Sequence, residues 1–320
     1  MTKYLVTGAA GFLGYHLANV LSADPHSQVV CVDNFIRGQR DSLYEALCSR
    51  PNVVGLQIDL CDRDAVFRLD DDVDVVFHLA ALNGTQNFYE RPLDVLKSCT
   101  LPTFWLMERF APLQRVRRFV FAGTSESYAS TVTRFGWEVP TGEDVPLSVD
   151  DVTNPRWSYA ASKIHGEVLT VHAANHFGMP WTVLRYHNAY GPRMGDRHVV
   201  PDFLMRAQRG EYALFGYEDT RSFLYVTDAV AATIAAAESE GTAGEIVNVG
   251  SDEEIVIHEL GRIMMDVCGF DGEITLHPSP RGSVRRRVPQ IHKLRSLTGF
   301  APKVGLRQGL RLTADYYLGH

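Results

Sequence analysis

Nothing in these 320 residues approaches the roughly 18 consecutive apolar residues that a membrane helix needs. The first glycine, Gly8, comes too early to leave room for the apolar stretch of a secretory leader. Cysteine is scarce: Cys31, Cys48, Cys61, Cys99 and Cys268 are odd in number, widely spaced and without a Cys-x-x-Cys pair. That suits neither a disulfide framework nor a zinc site and points to a reducing cytoplasm. Positive charge is also short, with 31 Lys and Arg against 38 Asp and Glu, a formal net charge of -7. A chain of this sign offers no field for gathering nucleic acid or anionic lipid, so a small-molecule partner is expected. Internal repeats, low-complexity tracts and an obvious linker are missing too. No metal set stands out: His172 and His176 have helical i, i+4 spacing but lack the adjoining Glu of a zinc protease motif, which reads as an exposed helix face.

What is present is a large apolar fraction, 45%, enough for an extensive core in one large domain or two intimate ones. Residues 4–7, 28–33, 53–59, 73–80, 118–124 and 181–186 are short apolar runs with little alternation, the pattern of strands buried on both faces. Between them lie helix-length segments at 13–22, 40–49, 93–110 and 159–177, the last closed by Gly178 and Pro180. Strands alternating with helices imply right-handed crossovers and an open parallel sheet. After Tyr190, glycine and proline (Gly191, Pro192, Gly195, Gly210, Gly216, Pro278, Pro280, Gly282) punctuate shorter elements. Strands are expected there at 224–226 and 246–249, and helices at 256–267 and 306–317.

The N-terminal run Tyr4-Leu-Val-Thr-Gly8-Ala-Ala-Gly11-Phe-Leu-Gly14 reads as strand, glycine turn and helix start. Glycine permits the tight turn and a close backbone approach, so that helix N-terminal amides can hold a pyrophosphate. The next strand ends Val-Cys-Val-Asp33, at the interval where a carboxylate meets an adenosine ribose. Asp59-Leu60, after the third strand, is placed to flank the adenine. The fold expected is therefore α/β, a Rossmann-type doubly wound parallel sheet with a smaller C-terminal α/β substrate-binding region. Residues 1–186, completed by parts of 224–250, would bind the dinucleotide, and 187–320 mainly the substrate.

Tyr159-Ala-Ala-Ser-Lys163 puts a phenol and an ammonium at i and i+4 on one helix face. A phenol is a poor base at neutral pH, but a neighbouring ammonium and a nicotinamide's positive charge stabilise the phenolate. Tyr159 can then remove a hydroxyl proton while hydride leaves the same carbon, and Thr124, at the end of the fifth strand, can share that substrate oxygen. Such a pair also occurs on ordinary solvated helices; beside a cofactor turn, chemistry becomes the stronger reading.

With these residues the chain resembles the extended short-chain dehydrogenase/reductase superfamily, in its nucleotide-sugar epimerase/dehydratase branch, over nearly its whole length. The marks are the glycine turn, Asp59-Leu60, His78-Leu-Ala-Ala81, Thr124-Ser-Glu-Ser-Tyr128, Tyr159 to Lys163, Arg185-Tyr-His-Asn188-Ala-Tyr-Gly-Pro192, Arg221-Ser-Phe-Leu-Tyr-Val-Thr-Asp228 and a closing Gly-Leu-Arg-Leu-Thr-x-x-Tyr-Tyr helix. The resemblance implies NAD as cofactor, touching Gly8, Gly11, Phe12, Leu13, Gly14, Asp33, Asn34, Asp59, Leu60, Leu79, Ala80, Ala81, Tyr159 and Lys163. It implies a nucleoside-diphosphate sugar as partner, met by Asn83, Thr124, Ser125 and Glu126. Asn188 would touch the diphosphate, Arg221 and one of Arg285 to Arg287 (Arg287 is our choice) would neutralise it, and His198 and Val199 would lie near the base. A homodimer paired through the 93–110 and 159–177 helices is also expected.

The chain departs from that branch at several points. Cys99-Thr-Leu-Pro102-Thr103 stands where the branch has Asn-Val-x-Gly-Thr, which removes an expected polar contact near Lys163. Ala129 follows Tyr128 where Gly is usual, and 131–140 is an unusual aromatic-containing loop. Enzymes of this branch oxidise the sugar at C4, and the ketone acidifies C5. Here Glu126 stands two residues past Thr124, where simple 4-epimerases carry Ser or Ala. A carboxylate there can act at C5, in dehydration, epimerisation or decarboxylation. Ser125 speaks against one hexose dehydratase group, and Ile164 after Lys163 speaks against decarboxylation, where Arg is common. Asn154-Pro-Arg-Trp-Ser158 and Arg193-Met-Gly-Asp-Arg197 suggest a specialised subgroup handling a heptose or an acidic sugar. The competing readings are a simple 4-epimerase, a net 4-oxidase that releases NADH, and a non-catalytic NAD-binding regulator; the last has no need of Thr124, Tyr159 and Lys163, all present.

Asp33 generates the first testable outcome. It can accept a hydrogen bond from a ribose 2'-hydroxyl but repels a 2'-phosphate, so NAD should bind at least tenfold more tightly than NADP, a difference of about 1.4 kcal/mol or more. Calorimetric titration with both dinucleotides checks this, and equal affinities would refute it.

Overall fold

Strands buried on both faces must be covered on both faces, and the computed structural model, which describes residues 1–195, 198–279 and 284–319, shows how this chain does it. All six expected strands form: β1 (Thr2–Thr7), β2 (Ser27–Asp33), β3 (Val53–Gln57), β4 (Val75–His78), β5 (Arg118–Thr124) and β6 (Trp181–Tyr186). Every residue of β5 is buried. The sheet has seven strands in the order β11-β6-β5-β4-β1-β2-β3, where β11 is Glu245–Val249, and each adjacent pair is parallel. The strand order reverses between β1 and β4, which opens a crevice at their carboxyl ends.

The helices divide between the two faces. On one, α1 (Phe12–Leu21) and α2 (Ser42–Cys48) pack Leu17, Leu21 and Leu47 on Val6, Val29 and Cys31 of the sheet. The other carries α3 (Arg63–Phe67), α4 (Thr85–Glu90) and α5 (Pro92–Phe110), with Leu106, Met107 and Phe110 of α5 lying on Leu5, Val76, Phe119 and Phe121. The expected 131–140 loop is partly helical, α6 (Ala129–Phe135). Helix α7 (Trp157–Phe177) packs beside α5. It lies very close to β5, since a Cβ at Gly166 would sit 2.4 Å from the Phe121 ring. One turn past Lys163, Glu167 forms an ion pair at 2.9 Å with Arg185 of β6, both side chains only 3% exposed. Removing one partner of such a pair costs roughly 3–5 kcal/mol, because the other charge is left buried and alone.

Beyond β6 the chain crosses the carboxyl edge of the sheet. The short β7 (Ala189–Tyr190) leads to α8 (Val199–Ala207), β8 (Ala213–Phe215), β9 (Thr220–Ser222) and β10 (Leu224–Tyr225). The expected 224–226 strand therefore ends early; it pairs with β7 alone, and Val226 opens α9 (Val226–Glu238), which returns to the α1 face. After β11 come β12 (Glu254–Val256), α10 (Ile257–Cys268), β13 (Thr275–His277), β14 (Arg286–Arg287), α11 (His292–Thr298) and α12 (Leu306–Leu318). Helices α8, α10 and α12 bury Phe203, Leu204, Leu260, Met264 and Leu310 in a core of their own. Strand β9 sits between β12 and β14, a pairing that sets Arg221 opposite Arg287. Asp196, Arg197, Pro280 and Gly282, singled out in the sequence, lie outside the described residues. None of the described helices is long and apolar enough to cross a membrane, and no group of potential metal ligands occurs among the described residues. All five cysteines are free.

Candidate active site

The glycine turn closes as its spacing requires. Gly8 has φ +70° and its N–H donates to the Val32 carbonyl at 2.8 Å, while a Cβ on Gly14 would fall 2.1 Å from the Gly8 oxygen. Helix α1 starts at Phe12 with Gly11 as its cap, without a capping side chain and without an acid in its first turn. Its free amides and positive dipole end are an anion site. Asp33 is buried at the end of β2, where its carboxylate accepts from the Ala10 N–H at 2.9 Å and the Phe35 N–H at 2.8 Å. Burial pushes its carboxyl above the usual range, against the pull of those backbone donors. Each oxygen keeps a lone pair for a ribose hydroxyl. Next to it, Asn34 donates to Asp59 at 3.4 Å, with Leu60 buried beside them. Leu79, Ala80 and Ala81 follow β4 across the crevice; the Ala80 N–H donates to the Thr7 hydroxyl at 3.2 Å, and Thr7 also meets His78 Nδ1 at 2.9 Å. His78 is fully buried between Thr7 and Thr103, and burial lowers its pKa to about 3. Groups of this kind, at this switch point, fit a dinucleotide.

Arg37, four residues past Asp33, is engaged away from that carboxylate. Its guanidinium donates to the Asn83 carbonyl at 2.6 Å and lies 3.5 Å from His198 Nε2, joining the loops after β2 and β4 to the start of α8. Val199 is the first residue of α8.

Tyr159 and Lys163 lie on the buried face of α7, above the end of β5. Lys163 Nζ donates to the Ala122 carbonyl at 2.8 Å and sits 4.8 Å from the Phe121 ring centre and 5.9 Å from that of Tyr159. Burial lowers the ammonium's pKa and raises that of the Tyr159 phenol. Thr124 ends β5; its hydroxyl accepts from the Glu126 N–H at 3.3 Å and interacts with the Tyr159 hydroxyl. Phe88 of α4 stacks on Tyr159, ring centres 5.2 Å apart and 13° from parallel, a contact that no spacing along the chain announces. Cys99, at the departure from the branch's Asn, is buried in this same cluster, its thiol 3.8 Å from the Leu82 carbonyl.

Glu126 does not stand free. One carboxylate oxygen is bonded to Arg287 Nη1 and the other accepts from Arg156 Nη2 at 3.2 Å. Despite burial, which works the other way, these guanidiniums and that of Arg221 hold its carboxyl below the usual range. Ser125 is buried at its side. Arg221 pairs with Asp219 at 3.4 Å, and burial together with Arg287 lowers its pKa to about 10. Asn188, at φ +30°, donates to the Ser222 carbonyl at 2.9 Å, fixing its strand to β9. Arg287 is held by the 131–150 segment: the Thr141 N–H donates to the Val288 carbonyl at 2.9 Å, and the Gln290 N–H to the Thr141 carbonyl at 2.8 Å. Arg156, absent from the site set read from the sequence, comes from the Asn154-Pro-Arg-Trp-Ser158 motif that had drawn attention for another reason.

A parallel sheet with an uncapped glycine turn at its switch point, and a buried Tyr-Lys pair over the neighbouring strand end, defines a dinucleotide-dependent enzyme. The chain belongs to the NAD dependent epimerase/dehydratase family, which it matches over residues 4–250. It is an NAD-dependent enzyme of that type. It is 34% identical over 98% of its length, and 97% of the relative's, to UDP-N-acetyl-alpha-D-glucosaminuronate decarboxylase of Bacillus cytotoxicus. With UDP-glucuronic acid decarboxylase 1 of Xenopus tropicalis it shares 32% identity, over 98% of this chain and 72% of that protein. The crystal structure of UDP-glucuronic acid 4-epimerase from Bacillus cereus, in complex with UDP-glucuronic acid and NAD, superposes with a TM-score of 0.88 at 26% identity, covering 99% of both chains.

The geometry of the Tyr159 cluster makes its role testable. Tyr159→Phe keeps the ring that stacks on Phe88 and removes the hydroxyl, so fold and ligand binding should persist while turnover falls at least about a hundredfold. Single-turnover oxidation at an unchanged rate would move the base elsewhere.

Proposed function

We propose that the protein acts on a UDP-linked hexuronic acid, oxidising C4 and decarboxylating the resulting keto acid. The observation that carries this reading is the Glu126 carboxylate held between Arg287 and Arg156 beside Thr124 and Tyr159. Guanidinium groups at the end of β5 suit an acidic sugar, and the decarboxylases at 34% and 32% identity are said to act on such sugars. Ile164, which counted against decarboxylation, is half-buried on α7 and is not one of the groups bonded to Glu126.

In this reading Tyr159 takes the proton of the C4 hydroxyl, with Thr124 sharing that oxygen and Lys163 stabilising the phenolate. Bound NAD supplies the electron sink at C4 and gives the electrons back, so none is consumed overall. The C4 ketone makes the substrate a β-keto acid: the C5–carboxylate bond breaks, carbon dioxide leaves, and the electron pair passes into the enolate. The enolate takes up one proton from solvent at C5, and we assign the Glu126–Arg287 pair to relay it. Tyr159 finally returns its proton to the C4 oxygen, and the balance is hexuronate plus one proton giving pentose plus carbon dioxide. Asn188, Arg221, His198 and Val199 would meet the nucleoside diphosphate. Phe215, half exposed and stacked on His277 with ring centres 4.8 Å apart, offers a planar base a surface to extend. Residues 1–186 with β11 are assigned to the cofactor, and 187–320 mainly to the nucleotide sugar.

We also propose a homodimer. Leu93, Leu96 and Phe104 of α5 and Val168 and Phe177 of α7 are exposed on neighbouring helices. Light scattering at micromolar concentration should give twice the chain mass; a monomer would refute it. Five free cysteines support action in the cytoplasm, for which cell fractionation is the check.

The reaction itself is tested in heavy water with UDP-glucuronate. One carbon dioxide should be released per turnover and one deuterium should appear at C5 of the pentose product. Glu126→Gln should still form transient NADH while carbon dioxide release and C5 labelling fall by about two orders of magnitude. Turnover with neither carbon dioxide nor C5 deuterium would replace this reading with 4-epimerisation.

A further inference from the structure

Five charged groups converge beyond the end of β5: Arg156, Arg221 and Arg287 against Glu126 and Asp219. Among the described residues of this cluster, three guanidiniums face two carboxylates. Buried charge that is not balanced is expensive, so the cluster has room for one more anion. Arg221 and Arg287 are already fixed by the sheet, paired across β9 and β14, and Arg221 leans on Asp219. Arg156 comes from the start of a helix instead: its guanidinium contacts Glu126 at 3.2 Å, and its Nε–H, like that of Arg287, is buried with no acceptor among the described residues.

The backbone that presents Arg156 is nevertheless well determined. The Asn154 side chain accepts from the Arg156 N–H at 3.0 Å, and the Trp157 N–H donates to the Asn154 carbonyl at 3.0 Å. Arg156 then stands at the start of α7, one helical turn before Tyr159, with its guanidinium over the Trp157 ring. A sugar whose C4 oxygen lies between Tyr159 and Thr124 carries the carboxylate carbon of C5 only three bonds from that oxygen. We infer that Arg156 is the specificity-determining residue for the substrate carboxylate, an inference that rests on the hexuronate reading above.

Glu126 then acts as a resident counter-ion. In the free protein it occupies Arg156; an arriving carboxylate takes that guanidinium over, while Glu126 keeps Arg287. When the carboxylate departs as neutral carbon dioxide, Glu126 takes Arg156 back, so the cation is never left buried alone. A neutral hexose at the same position gives Arg156 no such exchange, and the site discriminates by charge.

Titration of the NAD-loaded protein tests this in a Tyr159→Phe background, in which turnover is at least about a hundredfold slower, with UDP-glucuronate, UDP-glucose and UDP as probes. With Arg156 intact, UDP-glucuronate should bind at least tenfold more tightly than UDP-glucose. Arg156→Gln should weaken UDP-glucuronate by about 10- to 100-fold, leave UDP-glucose and UDP within about twofold, and so abolish most of the preference. Arg156→Lys, which keeps the charge but not the fork, should fall between. A preference unchanged in Arg156→Gln overturns the inference, and so does an equal loss for all three probes, which would make Arg156 a structural support. Carbon dioxide release is measured separately on the protein with Tyr159 intact. Its absence would reject the decarboxylase reading, whereas the role of Arg156 in charge selection is decided by the titrations.

Discussion

The close approach of α7 to β5 is the constraint on which the rest of the site depends. Gly166 lets the helix settle against the Phe121 ring, and the buried Glu167–Arg185 pair fixes its rotation and height over β6. Only in that position does Lys163 reach the Ala122 carbonyl, and only then does Tyr159 stand over Thr124. The pair is costly to bury but has a geometric use: an ion pair with several hydrogen bonds tolerates little sliding or turning. Packing alone, with Ala174 and Leu169 against the sheet, would allow more of both.

The same economy of position appears on the polar side. Glu126 follows Thr124 by two residues, so placing the hydroxyl also places the carboxylate. The guanidiniums that meet it arrive from the start of α7, from β14 and from β9. From Arg156 to Arg287 they span 131 residues of chain, and they are brought together because β9 and β14 pair in a second, three-stranded sheet while α7 packs on β5.

This explains what could be read in advance. The six strands and the glycine turn were legible because each is a local pattern: an apolar run of fixed length, or three glycines before a helix with an aspartate a strand further on. Tyr159 and Lys163 were legible for the same reason, four residues apart on one helix. The partners of Glu126 were not, since no spacing in a sequence announces that Arg156 and Arg287 meet the same carboxylate. Phe88 was missed because one aromatic in a short helix carries no signal until the neighbouring phenol is seen. Strand 224–226 was read too long because the Val226 that continues its apolar pattern is also where α9 begins, and helix packing on the α1 face won over strand pairing.

One contact joins the halves of the protein in a different way. Arg193 is buried at φ +66°, its guanidinium over the Tyr15 ring, paired with the Asp41 cap of α2 and donating to the Ala10 carbonyl at 3.2 Å inside the glycine turn. Its neighbour Pro192 accepts from His16 of α1 at 2.9 Å. The peptide that leads toward the sugar side is thus bolted to the loop that would grip the cofactor. Neither surface can be reshaped without disturbing the other, so in evolutionary terms the two must change together: a new sugar specificity built on this stretch has to leave the dinucleotide turn intact, which confines variation to the loops beyond it.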